Sequence, residues 1–442
     1  MKKLLLLCGL LSGSAPAFSQ AKKVVKPPVV AVSAATVQRV LTTLAADDMQ
    51  GRATGQPGQL RAAQFLAGEF QRIGLQPLPG GTSFMQEFPA YESSVTSLAV
   101  VLNGQALPAD RVHAYTTQPE LTWTEKDSVR VLVLGPEEKV QTHFREILRP
   151  AHNTLVLFDP AQAATFKSLV ERFGKPQLRA EQAASPYSSV WALAAGPAPS
   201  SFRVLASTAT KTLTLRNVVG YLPGRDKARA AEKIIFSGHY DHLGILKPVD
   251  GDSIANGADD DASGTTAVVA LAEYFKKRND NARSLIFVAF TAEEIGGFGA
   301  RYFSQQLVPQ ELTAMFNIEM IGKEAKFGPK TAFITGYDKS DFGKLLQANL
   351  VGTEFKFEPD PYPEQGLFYR SDNATLARLG VPAHTISTDQ IPTDKLYHSV
   401  DDEVGSLSVQ NMTDVISAIA RSAAGMVAGQ QTPTRVAPEP AR

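Results

Sequence analysis

Cysteine is almost absent from this chain: among 442 residues only Cys8 is one. It sits within Leu4-Leu5-Leu6-Leu7-Cys8-Gly9-Leu10-Leu11, behind Lys2-Lys3, the charged and short apolar regions of a secretory signal. Ala17-Phe18-Ser19 supplies small residues at the recognition positions, so cleavage is expected after Ser19 and residues 1–19 read as a signal peptide for a secreted or periplasmic protein. Leu7 fits the small residue of a bacterial lipobox poorly, so no lipid anchor is expected. Once the signal is removed no thiol remains, which excludes disulfides, thiolate nucleophiles and cysteine-ligated metals. A surplus of one charge is also absent: Lys+Arg and Asp+Glu are both 44, and no arginine-rich or aromatic-basic run occurs. Nothing therefore points to a nucleic acid partner. The apolar N-terminal run is too short for a stable membrane span.

What remains is ordinary globular composition, 43% hydrophobic and 20% charged, long enough for two or three domains. Residues 20–35, with Lys22-Lys23 and Pro27-Pro28, read as a linker, and 430–442, rich in proline, as a disordered tail. Leu66, Phe70 and Ile73 mark a helix behind the glycine-rich turn Gly51 to Gly58. From Asn217 onward strands and helices alternate: Val218–Leu222, Lys233–Gly238, Ser284–Phe290, Ala314–Met320, Thr331–Thr335 and Pro382–Ile386 are the expected strands. This rhythm predicts an α/β fold with a mostly parallel central sheet flanked by helices. Between them, short β-like runs such as Val129–Leu134 and Thr154–Phe158 break the pattern, so 116–202 reads as an inserted, smaller β-rich domain. The catalytic domain is then 36–115 joined to 203–429.

Several acids and histidines follow the apolar runs. His239 ends a strand as a candidate metal ligand, with Asp241 as the carboxylate that orients its ring. Asp259-Asp260-Asp261 opens a helix; one aspartate suffices as a cap, and three concentrate repulsion that a cation offsets, with Asp260 as the bridging carboxylate. Glu293-Glu294 follows the strongest strand, and one can bind metal while its neighbour acts as general base. Glu319 lies in an apolar stretch, where a buried carboxylate needs a partner such as a metal, unless the strand is an edge facing water. His398 completes a set of the residue types that bind catalytic zinc.

In this order, His-x-Asp, Gly-Ala-Asp-Asp-Asp-Ala-Ser-Gly, Ala-Glu-Glu, Asn-Ile-Glu-Met-Ile-Gly and Tyr-His-Ser, the set resembles the zinc aminopeptidases of the aminopeptidase Y type. Their relatives include glutamate carboxypeptidase II and glutaminyl cyclase. Asp48-Met49-Gln50-Gly51-Arg52 is similar to that family's N-terminal signature. The resemblance implies a phosphorylase/hydrolase-like zinc-exopeptidase fold and two Zn2+ cofactors. His239, Asp260 and Glu319 would hold one ion, and Asp260, Glu294 and His398 the other. Glu293 would be the general base to a shared hydroxide, and Tyr397 would assist the oxyanion. Many relatives carry aspartate where Glu319 stands, and often histidine where Asn373 stands. Arg370 or Asp372 would touch a substrate terminus or pair with each other in the loop, and His242 is left as structural. The implied function is an exported exopeptidase acting on peptides. Glutaminyl cyclase, carboxypeptidase or dipeptidase chemistry, and a non-catalytic binding protein, are the alternatives.

Overall fold

The computed structural model describes residues 30–181 and 183–438, so the expected signal peptide and the linker up to residue 29 lie outside the described residues. Ser33, in the last part of the expected linker, instead caps α1 (Ala34–Leu44) by accepting from the Thr36 amide at 3.2 Å. α2 (Pro57–Ile73) starts on a proline, buries Ala62, Ala63, Leu66 and Phe70 along one face, and stops at Gly74 with φ 79°.

The strands used below are β1 (Met85–Leu102), β2 (Val112–Tyr115), β3 (Arg130–Leu134), β4 (Thr154–Phe158), β5 (Ser189–Leu193), β6 (Phe202–Leu222), β7 (Lys233–His239), β8 (Ser284–Phe290), β9 (Leu312–Ile318), β10 (Thr331–Ile334), β11 (Lys356–Pro359) and β12 (Ala383–Ser387). The helices used below are α1, α2, α3 (Ala163–Phe173), α4 (Gly264–Arg278), α5 (Phe298–Gln305), α6 (Phe342–Asn349), α7 (Asn373–Arg378) and α8 (Val409–Ser422). The main sheet runs β11-β10-β12-β9-β7-β8-β6-β1. Its centre, β12-β9-β7-β8, is parallel, and the pairs β8-β6, β6-β1 and β10-β12 are antiparallel.

Apolar residues on both faces of each central strand explain why helices cover both sides. Ile234 and Phe236 point into one core with α1, α2, α4 and α8, whereas Ile235, Ile286 and Met315 point into the other with α5 and α7. Phe236 stacks on Phe275, Phe287 and Phe316 at centroid separations of 5.3, 5.4 and 4.9 Å. Each such buried ring contributes about 1.5–3 kcal/mol. Because the central strands are parallel, their C-terminal ends meet at one edge, which is where an open α/β sheet builds its site.

β1 and β6 form a long antiparallel ribbon, paired from Met85↔Val218 to Leu102↔Phe202. Its inner half completes the main sheet, while its outer half pairs with Glu120–Thr124 and packs against a second sheet ordered β2-β5-β4-β3. The accessory lobe therefore takes in more chain than the expected 116–202: β2 and the outer ribbon belong to it. The C-terminal tail also departs from expectation. As far as Pro438 it is laid along the body, with Val436 2% exposed and Arg435 donating to the Leu312 carbonyl at 2.8 Å. Arg283, fully buried, reaches the carbonyls of Met426 and Gln431 at 2.7 and 2.5 Å. Proline richness did not imply disorder where arginine could gather the carbonyls.

Candidate metal centre

The loops at the strand ends are fixed before any ligand is considered. Arg52, fully buried, donates to the carbonyls of Leu44, Tyr240, Asn256 and Gly257 at 2.7, 2.7, 2.5 and 2.8 Å. One guanidinium thus ties the chain before α2 to the loop after β7 and to the turn before Asp259. Burial lowers its pKa and nearby Asp402, Asp260, Asp241 and Asp261 oppose that.

The three aspartates divide their work. Asp261 accepts from the amides of His239, Gly264 and Met320 at 3.0, 3.0 and 3.1 Å, joining β7, α4 and the end of β9. Asp259 accepts from Gly322 N at 2.8 Å and pairs with Lys323 Nζ at 3.2 Å. Asp260 is left to face the cavity, its own amide held by Asp402 at 3.0 Å. Gly264 allows this convergence: a Cβ there would lie 2.0 Å from the Ile318 carbonyl and 2.4 Å from Asp261 Oδ1.

Asp260 stands between two groups of side chains. His239 Nε2 is 3.2 Å from its Oδ1, and His239, Asp260 and Glu319 offer ligand atoms all within 4.8 Å of one another. His398 Nε2 is 3.2 Å from Asp260 Oδ2 and also 3.2 Å from Glu294 Oε2. Glu319 lies past β9, a central strand and not an edge, and its amide donates to the Ile386 carbonyl at 3.1 Å. Glu293, Glu294, Glu319, Tyr397 and His398 all line a cavity of about 650 Å³, and the Tyr397 ring stacks on His398 at 3.8 Å.

Some expected roles change. His239 Nδ1 lies 3.1 Å from the Asp241 carbonyl but 3.9 Å from its carboxylate, so the main chain is the nearer orienter. The Asp241 carboxylate instead accepts from the amides of Glu293 and Glu294 at 3.1 and 3.3 Å, fixing the turn that carries both. His242 is drawn into the site: its Nδ1 is 2.7 Å from Glu294 Oε1, and it forms a ligand-capable group with Asp260 and Glu294. The spacing His239-x-x-His242 was the available signal. Arg370 and Asp372 do not pair: both Asp372 oxygens are buried without a hydrogen-bond partner and face the cavity. Asn373 is structural, donating to the Phe368 and Ala383 carbonyls at 2.9 and 3.1 Å.

The donor set fits a metal on the geometry of this chain. His239 Nε2, His242 Nε2 and Glu319 Oε2 are buried and have no hydrogen-bond partner, and such orphans cost about 1–3 kcal/mol each unless something binds them. Imidazole and carboxylate without thiolate suits zinc. Burial opposes charge throughout. On Asp260 the two imidazoles at 3.2 Å, His239 and His398, overcome it and hold the carboxyl well below the usual range. Burial pulls His398 down, but Asp260 and Glu294 lift it to about 10. Burial, with Glu319, Asp372 and Glu294 nearby, pushes Glu293 well up despite His239.

Residues 217–423 match the family model for Peptidase family M28. Short stretches are similar to the vacuolar membrane protease of Schizosaccharomyces pombe, 33% identical over 100 residues, 23% of this chain and 11% of the relative. A probable zinc metalloprotease of Pyrenophora teres f. teres is 38% identical over 87 residues, 19% of this chain and 18% of the relative. The matched stretch thus spans less than a third of the length of these curated relatives. The whole fold is similar to that of an aminopeptidase from Aneurinibacillus sp. strain AM-1, at TM-score 0.55 and 19% identity over 93% of this chain and 97% of that one. It is likewise similar to a zinc aminopeptidase from Bacillus subtilis, at TM-score 0.55 and 13% identity over 92% and 98% of the two chains. Among the described residues no helix is long and apolar enough to cross a membrane.

Proposed function

We propose that this chain, through its Peptidase family M28 stretch, is an exported zinc metallopeptidase that binds two zinc ions and removes N-terminal residues from peptides. The observation that carries the reading is Asp260, whose two oxygens face different histidines at 3.2 Å. A carboxylate shared in this way is what a two-metal site requires. His239, Asp260 and Glu319 would hold one ion, and Asp260, Glu294 and His398 the other, with His242 steadying Glu294. When bound, zinc supplies Lewis acidity toward the scissile carbonyl and lowers the pKa of the attacking water.

The remaining steps belong to the chain. Glu293, aimed into the cavity from a turn fixed by Asp241, takes a proton from the attacking water and passes it to the leaving amine. Tyr397 donates toward the oxyanion, and burial, with Asp260 and Glu294 nearby, raises its pKa so that it keeps its proton. Asp372, buried with two free acceptor oxygens, receives the substrate's α-ammonium, and this favours an aminopeptidase.

Elemental analysis beside hydrolysis of aminoacyl chromogenic substrates tests the reading. The expected result is about two zinc ions per chain and chelator-sensitive release of one N-terminal residue. Equal cleavage of N-acetylated substrates would remove the aminopeptidase assignment, and absence of both metal and turnover would remove the whole reading.

A further inference from the structure

Four arginines line the same cavity and take no part in the metal centre: Arg149, Arg301, Arg370 and Arg378. They come from separate pieces of chain. Arg149 follows the short helix Phe144–Leu148 of the accessory lobe, Arg301 lies on α5, and Arg370 and Arg378 stand before and at the end of α7. None of the four is ion-paired to a carboxylate among the described residues. Elsewhere several arginines are ion-paired, Arg39 with Glu69 at 2.7 Å, Arg216 with Glu87 at 2.8 Å and Arg283 with Glu232 at 2.5 Å, while others such as Arg52 and Arg435 donate to carbonyls. Since Lys+Arg and Asp+Glu are both 44, the grouping is not a by-product of a basic chain.

Aromatic rings hold two of them in place of acids. The Arg301 guanidinium lies 4.7 Å from the Phe298 centroid and that of Arg378 4.8 Å from the Tyr369 centroid. A ring face fixes a guanidinium without cancelling its charge. Arg370 has only a long contact of 3.5 Å to Gln365 Oε1. A planar fork left free at the wall of a substrate cavity matches a carboxylate.

We propose that these arginines select substrates carrying a carboxylate close to the scissile bond, so that the substrate class is short acidic peptides. The carboxylate is an acidic side chain or the free C-terminus of a di- or tripeptide. The inference rests on the peptidase reading above and deepens it. Through Arg149 it also gives the accessory lobe a part in the choice of substrate.

The test measures calorimetric binding to the zinc-loaded full chain carrying Glu293→Gln, in which the assigned base is removed. The probes are Leu-Gln-amide, with no carboxylate, Leu-Glu-amide, with one on the side chain, and Leu-Gln, with one at the C-terminus. We expect at least one carboxylate probe to bind about tenfold or more tightly than Leu-Gln-amide, and which one does so identifies the source. Adding Arg149→Gln and Arg370→Gln, both exposed positions, should erase that ratio, whereas Arg111→Gln outside the cavity should preserve it. Equal binding of the three probes, or a preference that survives both substitutions, overturns the proposal. Turnover of the same probes by the unsubstituted chain is scored separately. Carboxylate-dependent binding with no hydrolysis of any probe would sink the peptidase reading while leaving the arginine assignment standing.

Discussion

In the accessory lobe β3, β4 and β5 run parallel, as do β7, β8 and β9 in the main sheet, yet their ends carry different residues. The main strands finish at His239, Glu293-Glu294 and Glu319, while the accessory ones run into Gly135-Pro136, Asp159-Pro160 and Ala194-Ala195. Accessory polar groups are consumed locally. Asp159 accepts from Ala161 N at 2.9 Å, and Trp191 Nε1 donates to Ser189 Oγ at 2.7 Å, which in turn donates to the Ile147 carbonyl at 2.5 Å. At the main edge, by contrast, Arg52, Asp241 and Asp261 absorb the main-chain groups and leave His239 Nε2, Glu319 Oε2 and both Asp372 oxygens unused. Parallel strands gather side chains at an edge. A site forms there only when a second layer of buried polar groups holds the loops and frees the functional atoms.

The comparison is broken most directly at Glu293. Glu293→Gln should lower kcat by about 10²- to 10⁴-fold with zinc content retained, and Glu171→Gln on accessory helix α3 should not change kcat. Ordinary turnover by the first variant would place the base elsewhere. Next in size, His239→Ala or His398→Ala should lose zinc in elemental analysis, while His113→Gln in the accessory lobe should keep the full complement. Arg52→Met should then cost on the order of 3–5 kcal/mol in urea unfolding, since it takes a donor from buried carbonyls at four places, of which Gly257's keeps the Ala262 amide. Trp191→Phe should cost less, about 2–3 kcal/mol, from one hydrogen bond and the void its fully buried ring would leave, because Ser189 keeps its bond to Ile147.

An effect that depends on pH joins the two lobes. Burial holds both His384 in the main sheet and His113 in the accessory lobe at about 4, below the ordinary 6.5. Each is neutral when folded and takes up a proton on unfolding, so stability present above pH 6.5 is lost as pH falls toward 4. A tenfold difference in proton affinity between the folded and unfolded chain corresponds to about 1.4 kcal/mol. Thermal melts across this window should flatten in slope for His384→Gln and for His113→Gln. A pH slope unchanged by either substitution would show that neither histidine governs acid unfolding.

The cavity-facing acids and histidines were legible because their types are unusual beside apolar runs, as Glu319 is behind Phe316-Asn317-Ile318. The α/β rhythm was legible for the same reason, as apolar strands such as Ile234-Ile235-Phe236 announce burial on both faces. Asp241 was misread because whether a carbonyl or a carboxylate meets an imidazole depends on backbone path, which residue type does not encode. The free arginines were hidden differently. Arg149 reaches the cavity from an inserted lobe, and only tertiary structure brings it near Arg370. The lobe's edges were missed because β1 and β6 each run through both lobes, so no change of composition marks a boundary inside them.

That ribbon has a consequence for modularity. The seam between the lobes crosses two strands instead of falling in a loop, and the pairing slips once along it, between Val95 and Ser97. A transplant of the outer lobe onto another scaffold must therefore carry a matched length of both strands. Shortening one by a single residue would turn every side chain beyond the cut to the opposite face, and the arginine at the cavity wall would leave with them.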